Sequence, residues 1–160
     1  MKDLYNASDS LISFEKFELA ASTIVFLRKT IAYISAELSE DYETDREIEA
    51  IYWLKPFIYM MGGVVYDSRD SEDSYINASF KEEMDVFVSL TKLVQYRIYL
   101  DGSRKLIMPD KTGTQKEYTD SSECFREFLD FLLVIAKIKL GELVESTVFL
   151  TGLETNETPQ

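Results

Sequence analysis

Over residues 9–40 the apolar positions recur with a helical repeat: Phe17, Ala20, Ile24, Leu27, Ile31, Ile34 and Leu38 follow one another at alternating steps of 3 and 4. That spacing aligns them on one stripe of an α-helix. Phe14, Ala21, Val25 and Ala32 widen the stripe beyond the seam of a two-stranded coiled coil. Packing inside the chain is therefore expected, with a homodimer through the Phe17 to Leu38 stripe as the rival.

A second helix is predicted from Thr44-Asp45-Arg46-Glu47, which fits a capping box, with Ile48, Ile51 and Leu54 facing one way until Pro56 kinks or ends it. Gly62-Gly63 is the expected stop, and Val64-Val65-Tyr66 reads as a short strand. Residues 67–74 are polar throughout and form a solvated loop. Ser79-Phe80-Lys81-Glu82 fits another capping box, leading a helix with Phe80, Met84, Phe87, Leu90 and Val94 on its core face.

From Tyr96 the period becomes two. Tyr96, Ile98 and Leu100 alternate with Arg97 and Tyr99 up to Asp101-Gly102, and Arg104 to Met108 is again β-prone, which predicts a hairpin with a two-residue turn. Pro109 to Gly113 turns the chain once more, and residues 115–119 offer a third strand. Asp120-Ser121-Ser122-Glu123 caps a last helix, apolar on a wide arc (Phe125, Phe128, Leu129, Leu132, Leu133, Ile135, Ala136) and ending near Gly141. Ser146 to Leu150 reads as a strand, and residues 154–160 as a disordered tail. The expected fold is α+β: one helix-rich domain over residues 1–153, with about four helices and a small antiparallel hairpin or three-stranded sheet.

Composition narrows the chemistry. At 160 residues, 46% hydrophobic and 13% aromatic, the chain has the material for a real core. It contains no histidine, which removes Ser-His-Asp and Cys-His catalysis and mixed Cys/His zinc sites together. One cysteine, Cys124, excludes intrachain disulfides, thiolate zinc sites and iron–sulfur clusters; it reads as a core residue at the start of the last helix. Only oxygen-ligand metals are left, and residues 67–78 fail the calcium-loop pattern, with Arg69 and Ser71 at ligand positions. Gly62-Gly63 lacks the lysine and spacing of a phosphate loop, so no cofactor is expected.

The first residues carry no secretory signal, and Arg28, Lys29 and Glu37 interrupt the apolar run of residues 24–38, so a cytoplasmic protein with no membrane span is expected. Scarce Asn, Gln, Gly and Pro form a weak thermophile-like signature that suits an archaeal or viral source.

Charge supplies the functional reading. Lys plus Arg number 17 against 29 Asp plus Glu, a formal −12. Arg97, Arg104, Lys105, Lys111 and Lys116 near Tyr96, Tyr99 and Tyr118 form a modest basic cluster, but a chain this acidic repels a polyanion, which argues against nucleic acid. Acidic residues concentrate in residues 37–49 and 67–83. The expectation is a non-enzymatic acidic module (inhibitor, immunity protein or complex subunit) that binds a basic protein through Glu40, Asp41, Glu43, Asp45, Asp67, Asp70, Glu72 and Asp73, with Tyr42 and Tyr66 as aromatic anchors. Its rivals are a magnesium- or manganese-dependent hydrolase using carboxylates such as Asp85, Asp101, Asp110 and Asp130, and a self-assembling structural or accessory protein.

Overall fold

A computed structural model describes residues 2–40, 43–68, 74–80, 93–110, 112–119 and 122–156. The elements run α1 (Lys2–Glu37), α2 (Thr44–Met60), β1 (Val64–Asp67), β2 (Tyr75–Phe80), β3 (Val94–Tyr99), β4 (Arg104–Pro109), β5 (Gln115–Thr119) and α3 (Ser122–Asn156). The class is α+β as expected, but the described residues form three helices instead of about four, and the small sheet is a five-stranded antiparallel meander in the order β1-β2-β3-β4-β5.

Strand alternation assigns the two faces of the sheet. Ile76, Ala78 and Phe80 on β2, Val94, Tyr96 and Ile98 on β3 and Leu106 on β4 are fully buried, and the paired register places them on one face. Helices α2 and α3 cover that face, α2 against β1 and β2 and α3 against β3 and β4, while α1 packs along α3 and touches α2. Tyr96 stacks on Phe128 with ring centroids 5.2 Å apart, and Phe80 meets Phe131 edge-on at 5.5 Å, so aromatic contacts join sheet to α3. Leu27 and Ile34 of the α1 stripe are fully buried within the chain, and Ile24 nearly so. Glu18–Glu37 is by length and composition apolar enough to cross a membrane.

Several expectations are corrected. Ser79 and Phe80 do not cap a helix: they complete β2, where Phe80 lies opposite Val94 of β3. Met84, Phe87 and Leu90 of that expected helix lie outside the described residues. Pro56 does not interrupt α2, because Leu54, Phe57 and Ile58 around it are held in the core and offset the one backbone bond that proline removes. The capping box at Thr44 does not form either. Glu43 is the extended residue before the helix, with no side-chain cap, and Glu47 turns inward. The expected strand at residues 146–150 is helical, since α3 continues through an exposed Gly141 to Asn156.

Both hairpins at the β5 end use three-residue loops. Gly102 donates to the Tyr99 carbonyl (3.0 Å) and Tyr99 to that of Ser103 (2.9 Å); Gly113 donates to Asp110 (3.0 Å) and Asp110 to Thr114 (2.8 Å). Each is a tight turn followed by a glycine at positive φ, 94° at Gly102 and 83° at Gly113, in place of the two-residue turn expected from Asp-Gly. An aspartate braces each loop: Asp101 Oδ1 accepts from the Ser103 amide and hydroxyl, and Asp110 Oδ1 from Thr112 and Thr114.

Candidate functional site

The corner between α1 and α2 gathers Glu37, Glu40, Glu43, Asp45, Arg46 and Glu49. After Glu37 the chain turns through bonds from Ser39 to Ala36 (3.3 Å) and from Glu40 to Glu37 (3.1 Å), and then re-enters helix at Thr44. Acidic side chains suit the start of α2, where the unpaired amides carry partial positive charge. Tyr33 of α1 stacks on Trp53 of α2 with centroids 3.8 Å apart and planes 14° apart, locking the two helices side by side. Arg46 reaches back to Glu37 through two bonds of 3.1 and 3.2 Å and lies 3.8 Å from Glu40. The hydrogen bond to Glu37 raises the affinity of this guanidinium for its proton. Burial, then the charge of Glu37, pushes the Tyr33 phenol up.

These contacts enclose an open concavity of about 680 Å³ lined by Tyr33, Glu37, Glu40, Glu43, Asp45, Arg46 and Glu49. Five carboxylates face one guanidinium there, and Trp53, 47% exposed, stands beside them. An anionic basin with a rigid aromatic edge is chemically suited to a lysine- or arginine-bearing surface.

Of the residues expected to bind a partner, Glu40, Glu43 and Asp45 meet in this basin. Tyr66, 58% exposed, stands on the opposite, outer face of the sheet, and Asp67 at the end of β1 accepts from the Tyr52 hydroxyl. Tyr52 is two helical turns from Asp45, about 10 Å along α2. Asp41, Tyr42, Asp70, Glu72 and Asp73 lie outside the described residues. Tyr33, Arg46, Glu49 and Trp53 were not singled out from the sequence. For Tyr33, Glu49 and Trp53 the signal was spacing: Asp45, Glu49 and Trp53 recur every fourth residue along one side of α2, as Tyr33 and Glu37 do on α1.

The basic cluster is divided by the sheet. Arg104 and Tyr96 point into the core, where both donate to Glu47, whose side chain is wholly buried; the Arg104 Nε bonds measure 2.8 and 3.0 Å. The bond to Glu47 holds Arg104 firmly protonated, and burial followed by the Glu47 charge pushes the Tyr96 phenol far above its ordinary value. Arg97 instead lies over the Tyr75 ring at 4.0 Å and donates to Asn77 (3.2 Å) on the outer face. There Tyr75 also meets Tyr66 and Tyr99, with centroids 6.1 and 5.8 Å away.

The carboxylates named for a metal site are apart. Asp101 and Asp110 brace separate turns, Asp130 is exposed on α3, and Asp85 lies outside the described residues. Among the described residues no group of three or more acidic or cysteine side chains is placed to hold a metal ion. Comparison with family models, with curated proteins and with solved structures finds no match to this chain.

Proposed function

We propose that this protein is a non-catalytic recognition module that offers the α1–α2 corner to a basic surface of a partner protein, in the manner of an inhibitor, an immunity protein or a complex subunit. One observation carries the reading: Glu37, Glu40, Glu43, Asp45 and Glu49 converge on a single basin in which, among the described residues, Arg46 is the sole lining cation. Carboxylates lining a concave, low-dielectric wall reinforce one another's field, which steers a cationic partner toward the basin and raises its association rate. The Tyr33–Trp53 stack adds a preformed apolar edge that a partner covers with little loss of side-chain freedom.

The test is affinity purification at low and then high salt, run in parallel with the charge-reversed variant Glu40→Lys/Asp45→Lys/Glu49→Lys. A basic partner retained by the unaltered chain at low salt, released at high salt and missing from the variant is the expected result. Equal retention by both proteins would remove the corner from the interface.

A further inference from the structure

The helices cover one face of the sheet unevenly. Helix α2 packs against β1 and β2, and α3 against β3 and β4, while β5, exposed at every residue, stands at the margin of the helical layer. Strand pairing shows which side chains this margin leaves uncovered. Tyr118 lies opposite Leu106, a fully buried residue of the inner face, and Met108 follows Leu106 at two residues, so all three point to the helical side. Tyr118 is nevertheless 42% exposed. Between these residues and the first turns of α3 lies a cleft of about 630 Å³, a size that suits a small organic molecule. Its floor is apolar, made of Leu106, Met108, Tyr118 and the buried Cys124.

The helical wall of the cleft carries charge of one sign. Glu123 and Glu127 line it from α3, four residues apart and therefore on the same side of the helix, beside Cys124, and no lysine or arginine is among the described lining residues. Glu123 stands in the first turn of α3, where the helix dipole favours a negative side chain. The nearby strand cations are matched elsewhere: Lys116 lies 3.3 Å from Asp110 of the hairpin loop, and Lys105 pairs with Glu117 on the outer face at 3.5 Å. We propose that the cleft binds a small amphipathic cation, a primary amine carried on a compact aliphatic or aromatic body. The body covers Leu106, Met108 and the exposed part of Tyr118 and so removes apolar surface from water, while the ammonium is held at the Glu123–Glu127 rim. An anionic compound of the same shape meets two like charges at that rim, and a neutral one fills the floor but leaves the rim unmatched. The cleft and the α1–α2 corner share no lining residue, and neither reading depends on the other.

Cys124 is the single cysteine of the chain, so its alkylation is read at one position, on the cleft floor. The probe is phenethylamine, titrated into the full chain, with backbone amide NMR shifts and the rate of Cys124 alkylation by neutral iodoacetamide as the two readouts. Phenylethanol and phenylpropionate keep the apolar body and change the charge, whereas ethylamine keeps the charge and removes the body. Phenethylamine should shift Leu106, Met108, Tyr118 and Cys124 and slow the alkylation, and each of the other three should bind at least about tenfold more weakly. Glu123→Gln/Glu127→Gln should weaken the amine at least about fivefold and leave phenylethanol within about twofold. The charge-reversed corner variant should bind the amine within about threefold of the unaltered chain, which separates the cleft from the corner. Equal affinity for amine and alcohol would overturn the proposal, as would unchanged alkylation or amine shifts confined to residues 37–49. A capped lysine tripeptide that protects Cys124 as well as phenethylamine does would overturn it in favour of a polypeptide occupant. All the ligands are compared on the unaltered protein, so the proposal stays falsifiable whatever the variants do to folding.

Discussion

Glu47 holds a charge where water does not reach it. Its carboxylate is satisfied by Arg104 and by the Tyr96 hydroxyl, which ties α2 to β3 and β4. Such a cluster costs much desolvation and returns it only while complete. Glu47→Ala strands a guanidinium whose side chain is 14% exposed, and should lower stability in urea unfolding by about 3–5 kcal/mol. A loss below about 1 kcal/mol would mean that Arg104 reaches solvent instead. Asp110 works in the opposite regime, on the surface. The Thr112 hydroxyl above all, then the Thr114 amide, Lys116 and the Thr112 amide, pull its pKa from 3.8 down to about 2. A lowered folded-state pKa gives stability that is complete above the unfolded value and lost as pH falls through the folded one. The melting temperature of the unaltered chain should therefore exceed that of Asp110→Asn by a constant margin near neutrality, and the margin should shrink between 3.8 and about 2. A margin independent of pH over that window would show that the charge of Asp110 adds nothing.

At the scale of elements, legibility followed how many layers each segment contacts. The C-terminal half of α1 buries a single stripe, so its 3–4 spacing was visible in the sequence. Strand β2 was not, because Asn77 and Ser79 alternate with Ile76, Ala78 and Phe80 yet are themselves nearly buried on the outer face, and Ser79 imitates a helix cap. Gly63 shows the same dependence on distant contacts: a Cβ there would lie 2.6 Å from the Phe80 ring, a constraint set by a strand 17 residues onward. Gly141 misled in the other direction. It resembles a stop, but its surroundings are open and α3 passes through it, so its cost of about 1 kcal/mol relative to alanine is simply tolerated. Gly141→Ala should raise stability by about 0.5–1 kcal/mol in urea unfolding. Destabilisation would indicate that the glycine serves a contact or bend in α3.

For the whole molecule, charge excess was evident from composition, but its distribution needed the fold. Glu40, Glu43 and Asp45 are neighbours in the chain and were recognisable as a group; Glu49 stands one turn beyond Asp45 on the same helix, whereas Glu37, at the end of α1, is held against them by Arg46 and by the Tyr33–Trp53 stack. Tyr66 left the group because strand alternation turns it to the outer face. The protein thus carries two surfaces of different character, an anionic basin at one corner and an apolar-floored cleft between β5 and α3. Whether the acidic corner is where a cationic partner is recognised can be read directly from backbone amide NMR shifts during titration with a short lysine peptide. The account predicts that residues 37–49 respond first and most strongly, with an apparent affinity that falls steeply as salt rises. Equal responses at exposed carboxylates away from the corner, such as Glu18, Asp130 and Glu145, would contradict it.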